Sequence, residues 1–572
     1  MAQPATPDSG GKWGSFLSHL NPIPRFPGYS GPYKVGTIDV EIPISELDSP
    51  APAPDDTSEI ETIQFRVFYP CQPDAKGKRI SWLPAPQREH LSAYMQFLGV
   101  GPLVANAASF LPRHLHYTSI PVHKNAPLLS PPDSVPHQRW PTTIFSHGLG
   151  GSRNAYSQLV GSLASHGAVV FCPEHRDGSP VISYVRVPGA AAQDRHPARD
   201  ARRVVPYRRI PHDATDAVHE ARNAQLRIRT WELGLLHDAV LGMDAGTAMP
   251  NLNRSTPREA VAQFRGRLQV REPGSITFAG HSFGATTMVQ FLKSVFYAGR
   301  PELADMPAPL YAPARDAALC RQVTPRNVAV LLDMWCLPLL APDTKALFDL
   351  PLPAYATGEA GAPGGDAVLA VESDDFYKWS DHLHVTARVL SPAPGAQSVA
   401  AVAFDTPAGV RLPQPHFFYV QRSAHLNQSD FGILFPWATR KIFGAETPER
   451  TLRLNGRAIL QVLRKNGVPI ARTGWSDLQD GAGAEGKSKL ETQDASESSE
   501  GDDEAQVAKD EIFDDKAILD RGGIPGVDVW KWVDIIGMGR AASKETKTKT
   551  DAEAVEEKDH EMAGVMEPSA AK

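Results

Sequence analysis

Ser275-Ile-Thr-Phe-Ala-Gly-His-Ser-Phe-Gly-Ala-Thr-Thr-Met288 decides how the rest of this 572-residue chain is read. Residues 276–278 have the character of a short buried strand, and 286–295 have helical spacing. Between them lies Gly280-His281-Ser282-Phe283-Gly284, a G-x-S-x-G pentapeptide. A strand that turns directly into a helix holds such a serine in a strained backbone conformation, and the flanking glycines leave room for the turn. Ser282 Oγ is then lifted clear of the sheet, with the Phe283 N–H aimed into the space before it. The pattern alone is common. A strand before it and a helix after it point to a nucleophile.

Working outward, residues 142–146 read as a strand running into His147-Gly-Leu-Gly-Gly-Ser152, followed by a helix over 157–166 and a strand over 168–172. Strands and helices at this spacing predict βαβ units and a parallel sheet whose loops gather at one edge. After the elbow, residues 327–333 are a buried strand ending in a carboxylate, 367–371 resume the sheet, and 417–420 form a last strand before His425. Residues 33–44 and 62–69 predict an opening antiparallel pair. Helices are expected over 90–98, 214–241, 380–389 and 450–466. The fold class is α/β, specifically an α/β-hydrolase with a mainly parallel sheet flanked by helices.

Three regions fall outside this pattern. Residues 1–30 are rich in Pro, Gly and Ser and read as a flexible segment before a catalytic domain over 31–473. Ten arginines lie between Arg186 and Arg229. They are read as a solvated insertion over about 186–213, with a basic rim for phosphate headgroups as the alternative. Loops over 357–366 and 391–411 complete the excursions from the sheet. From 474 onward the chain turns acidic and Ser/Gly-rich, a composition that cannot bury enough apolar area to order itself. Residues 481–572 hold 23 acidic and 12 basic residues, or −11, out of a whole-chain net charge of −7. The remaining 480 residues hold 42 acidic and 46 basic, or +4, so the body is mildly basic. This argues against a nucleic-acid partner and fits a lipid-phosphate surface. Within the tail, residues 527–536 form an apolar patch with Trp530 and Trp532, read either as an element docked on the body or as an interfacial membrane foot.

Cys71, Cys172, Cys320 and Cys336 lack metal-ligand spacing and are read as free buried thiols. The first residues show neither a secretory h-region nor a myristoylation signal, and no apolar run is long enough to span a bilayer. The expected location is therefore cytoplasmic, with peripheral membrane contact as an extension. No metal and no cofactor are expected.

The order Ser282, Asp333, His425, each just beyond a strand, is the order of an α/β-hydrolase triad. His425 would take the proton from Ser282 as it attacks and deliver it to the leaving alcohol, while Asp333 would orient the imidazole. The oxyanion would need two N–H donors, from Phe283 and from the 147–151 loop, most simply Leu149. His147, Gly148, His281, Gly280, Gly284 and Trp335 would support them. For Glu174-His-Arg-Asp177 a structural ion-pair knot is preferred over a direct role.

Five motifs now stand in order: Phe145-Ser-His-Gly-Leu-Gly150, Glu174-His-Arg-Asp177, Gly280-His-Ser-Phe-Gly284, Leu332-Asp-Met-Trp335 with Pro338, and His425-x-Asn-x-x-Asp-Phe431. Spread over about 26–467, they resemble the platelet-activating-factor acetylhydrolases of the plasma and intracellular type II kinds. The resemblance implies a calcium-independent serine esterase acting on the sn-2 acetyl, short or oxidised acyl chain of a phospholipid at a lipid surface. It also implies Ser282, Asp333 and His425 as triad and Leu149 and Phe283 as oxyanion donors. Leu426 departs from the family's usual glutamine, and the insertions and tail exceed the usual length. A general short-chain carboxylesterase or lipase and a catalytically dead lipid-binding scaffold remain the alternatives.

Overall fold

The computed structural model describes residues 25–474, 478 and 515–539, except 111–112, 189–201, 305, 307, 357–361, 437–439 and 441–446. Most of residues 1–30, the centre of the Arg-rich insertion, half of the 357–366 loop and most of the acidic tail therefore lie outside the described residues.

An eleven-stranded sheet organises the chain. Its principal strands and helices, in chain order, are β1 (Lys34–Pro43), β2 (Thr62–Cys71), β3 (Trp140–Ser146), α1 (Ser157–Ser165), β4 (Val169–Glu174), α2 (Asp216–Ala245), β5 (Ile276–His281), α3 (Phe283–Phe296), β6 (Ala329–Leu332), β7 (Val368–Ser373), β8 (His416–Val420), α4 (Pro448–Lys465) and β9 (Trp530–Trp532). Across the sheet these strands run β9-β8-β7-β6-β5-β3-β4-β2-β1, with short strands at His123–Lys124 beside β1 and Leu268–Gln269 beside β3. From β4 to β8 all neighbours are parallel, while β1–β2, β2–β4 and β8–β9 are antiparallel. This is the α/β-hydrolase arrangement expected. Every residue of β3, β4, β5, β6 and β7 is buried, because helices cover both faces of a parallel sheet and leave no polar side to alternate with.

Local chemistry sets the ends of the long helix α2. Thr215 caps it by accepting the Val218 N–H, and Gly246 stops it in the left-handed conformation at φ 76°. The helix faces the core, as the spacing of Val218, Ile228, Trp231, Leu235 and Ala239 predicts, and all five are buried. Arg222 and Arg229 are both fully buried on it. The described flanks of the Arg-rich segment form a hairpin, Ile182–Arg186 against Arg202–Pro206.

The strand over 416–420 is not the last of the sheet. The tail returns to add β9, pairing Val420 with Trp530 and Phe418 with Trp532. Trp530 is 1% exposed and stacks on Phe418 at 4.8 Å, and Arg457 of α4 holds Asp515 through two buried hydrogen bonds. The apolar patch therefore docks on the body, and the membrane-foot reading of Trp530 is set aside. An indole in the core cannot also reach a bilayer. All four cysteines are free. Three are buried and Cys320 is half-buried.

Candidate active site

The loops after β3, β5, β6 and β8 meet at one edge of the sheet, and the candidate residues meet there with them. Ser282 occupies the turn between β5 and α3 at φ 56°, ψ −122°, a region that a side-chain-bearing residue enters only at a cost. The helix begins at Phe283, three residues earlier than its spacing predicted, so the turn has no slack. A Cβ on Gly280 would lie 2.5 Å from the Gly284 carbonyl, and one on Gly284 would lie 2.1 Å from the Ser146 carbonyl oxygen. Both glycines of the pentapeptide are thus required by close approach. The Ser282 N–H donates to the Leu332 carbonyl at 2.8 Å, tying the elbow to β6.

Asp333, at φ 39°, follows β6 and is fully buried. Its Oδ2 lies 2.9 Å from His425 Nδ1, and its other oxygen accepts the Ser373 N–H. A carboxylate can only accept, so His425 carries its proton on Nδ1 and leaves Nε2 unprotonated. The imidazole is held between two rings: it stacks on Phe376 at 4.5 Å and 9°, and on His281 at 4.4 Å. Its side chain remains 26% exposed. His281 is itself fixed, Nδ1 accepting from Tyr156 OH at 2.8 Å, and burial holds its pKa well below the ordinary histidine value. His281, Asp333 and His425 place one ligand-type atom each within 4.8 Å of one another, but the Asp333 carboxylate and the His425 Nδ1–H are already bonded together.

The 147–151 loop is clamped at successive peptides. The His147 carbonyl accepts from Arg229 Nη1 at 2.8 Å, and the Gly148 N–H donates to Tyr156 OH at 3.1 Å. The Gly148 carbonyl accepts from Gly151 N and from His147 Nδ1 at 2.9 Å. Because a peptide is planar, that carbonyl fixes the Leu149 N–H in the opposite direction. Among the described residues, neither the Leu149 N–H nor the Phe283 N–H meets an acceptor. Gly148 needs to lack a side chain, since a Cβ would come within 2.9 Å of Ser282 Cβ. Burial pushes His147 down to about 4, keeping it neutral.

Leu149, Phe283, Trp335, Phe376, Leu337 and Trp379 form an apolar cluster around these groups. The Glu174-His-Arg-Asp177 segment lies beneath it as a buried polar knot. His175 bonds Ser146 Oγ at 2.9 Å and Glu232 at 2.8 Å, Arg153 pairs with Glu174, and Arg229 pairs with Asp177 at 2.7 Å. Sequence reading missed Arg222, Arg229, Tyr156 and Phe376. Only the helical spacing of the apolar residues around the two arginines hinted that α2 faces inward.

A family model for platelet-activating factor acetylhydrolase, isoform II, matches residues 20–351. The chain belongs to this family. It is accordingly a carboxylic ester hydrolase. A putative phospholipase A2 of Schizosaccharomyces pombe is 28% identical over 458 residues, which cover 78% of this chain and 92% of that one. The platelet-activating factor acetylhydrolase of Cavia porcellus is 28% identical over 277 residues, 46% of this chain and 52% of the relative, and that of Bos taurus is 29% identical over 228 residues, 40% and 46% respectively. The matches thus span about half the length of these mammalian relatives. A ferulic acid esterase from Streptomyces cinnamoneus overlays 77% of the chain and 92% of its own at 14% identity, with a TM-score of 0.39, too loose for any comparison of sites. His425 lies beyond the family match, so its role rests on geometry.

Proposed function

We propose that this family member hydrolyses the sn-2 acetyl or other short acyl ester of a platelet-activating-factor-like glycerophospholipid, with Ser282, His425 and Asp333 as its triad. The 2.9 Å bond from the buried Asp333 to His425, beside a strained serine elbow, carries the reading. Ser282 Oγ attacks the ester carbonyl carbon as its proton passes to His425 Nε2. The Leu149 and Phe283 N–H groups receive the oxyanion, and the lyso-phospholipid alcohol leaves with the proton from His425. Water, deprotonated by the same nitrogen, then attacks the acyl-enzyme to release the short acid and restore Ser282. No step calls for a metal ion.

The enzyme meets its substrate at a lipid surface. Leu103, Val104, Phe110 and Tyr117 are 86%, 62%, 50% and 69% exposed, an apolar cluster that soluble surfaces rarely carry without a purpose. Leu103 and Val104 lie on the helix Pro102–Ala108, Phe110 in the turn that follows it and Tyr117 on the helix Arg113–Tyr117, next to the helix Gln87–Phe97, whose Phe97 packs on Gly150 of the 147–151 loop. None of the described helices is long and apolar enough to cross a membrane. An acyl-chain series on purified enzyme tests the substrate: turnover should be highest for acetyl and fall steeply toward palmitoyl. Equal turnover of palmitoyl phospholipids would favour a general lipase instead.

A further inference from the structure

Beneath the site sits a cation that the chemistry above does not use. Arg229 is fully buried, two turns beyond Arg222 on α2, and every one of its nitrogens is engaged. Nε donates to Asp177 Oδ2 at 2.7 Å, Nη2 to Ser179 Oγ at 2.5 Å, and Nη1 to the His147 carbonyl at 2.8 Å. The guanidinium carbon also lies 4.4 Å from the centre of the Phe283 ring. On the far side of Ser179, its carbonyl accepts the Gly150 N–H at 2.8 Å. One planar fork therefore touches the residue two before Leu149, the residue that holds Gly150, and the side chain of Phe283.

We propose that Arg229 is the positioning residue of the oxyanion hole, fixing both donor-bearing segments against each other through one guanidinium. A lysine could not replace it, because an ammonium is a point charge on a flexible stem and cannot hold three divergent acceptors in one plane. Asp177 balances the charge without competing for the loop. The burial makes the arrangement rigid, and rigidity is what an oxyanion hole requires: its donors must already face the place where charge develops. The inference rests on the reading of Ser282 as nucleophile.

The test uses the full-length enzyme and a water-soluble acetyl ester. Arg229→Lys and Arg229→Gln should lower kcat on the order of 10–100-fold while KM changes by no more than about threefold. A trifluoromethyl ketone, which adds to the serine and places a full oxyanion in the hole, should lose affinity in parallel with kcat. The sn-2 ether analogue, which has no carbonyl, should bind as to the wild type. Arg227→Ala, on the exposed side of the same helix, is the control and should leave all four quantities unchanged. If Arg229→Gln fails to fold because Asp177 is left buried and unpaired, the double variant Asp177→Asn/Arg229→Gln carries the same expectations. Wild-type kcat and ketone affinity in a folded variant would overturn the proposal. So would equal losses of ketone and ether binding, or failure of all three Arg229 variants to fold, since each marks a merely structural role. A wild-type enzyme whose Ser282 resists a fluorophosphonate would instead overturn the functional reading.

Discussion

Ser146, His175 and Glu232 line up a serine, a histidine and a carboxyl group as Ser282, His425 and Asp333 do, and the two serines lie at the ends of neighbouring strands of one sheet. Their distances are alike: 2.9 and 2.8 Å in the first, 2.9 Å between acid and base in the second. Their surroundings are not. Ser146 and His175 are wholly buried, Ser146 lies within a regular strand, and burial pushes Glu232 up to about 8 while holding His175 well below its ordinary value. A neutral acid donates its proton to His175 Nδ1, so His175 Nε2–H points at Ser146 and cannot accept from it. In the second chain the carboxylate accepts from Nδ1 and frees Nε2. The contrast teaches that three residue types at bonding distance do not make a catalyst. Tautomer, access, a strained elbow and two unpaired N–H donors are what set the proposed site at Ser282 apart.

Replacing the two serines should separate the chains most widely. Ser282→Ala is expected to lower kcat on the order of a millionfold with the fold intact. Ser146→Ala should keep activity within about tenfold of wild type and cost about 1–2 kcal/mol in chemical denaturation, because His175 loses its acceptor. Comparable activity in the two variants would erase the distinction.

The acids give the next largest contrast. Asp333→Asn should cost about ten-thousandfold in kcat, since the amide stabilises the wrong tautomer. Glu232→Gln imitates the neutral acid and should keep most activity. A carboxyl raised in the folded state binds more protons there than when unfolded, so its ionisation penalty grows as pH rises between about 4.5 and 8. Glu232→Gln should therefore match the wild type in stability near pH 4.5 and exceed it by roughly 3–5 kcal/mol near pH 8. Denaturation curves across that range check this, and a parallel offset at all pH values would contradict it.

Much of the candidate site was legible in the chain itself because each proposed triad member follows a strand of the sheet. Ser282, Asp333 and His425 could be located by reading strand ends, and Leu149 by the loop after β3. What stayed hidden depends on contacts distant in sequence. Arg222 and Arg229 look like solvated charges until α2 is seen packed behind Phe283. His175 and Glu232 are 57 residues apart, and nothing local marks them as partners. The Trp530 patch had two readings because edge pairing with β8 crosses more than 100 residues of chain. Ring stacking by Phe376 follows from the fold of the helix after β7, which spacing does not reveal.

The smallest expected effect concerns the support of the open chain. β8 leads into the loop that holds His425 and has β9 as its outer neighbour, whereas Ser146 sits on an interior strand. Trp530→Ala should cost about 3–5 kcal/mol of stability yet leave kcat on a soluble ester within about twofold at temperatures where the variant stays folded. A large loss of kcat in the folded variant would show that the edge strand also sets the position of His425.

The central claim is that Ser282, and not its neighbour Ser146, is the nucleophile. Labelling the native full-length enzyme with a fluorophosphonate and mapping the modified peptide tests it most directly. Stoichiometric label is expected on Ser282, with none on Ser146, and complete inactivation in step with labelling. Label on any other residue, or full activity after Ser282 is modified, would contradict it.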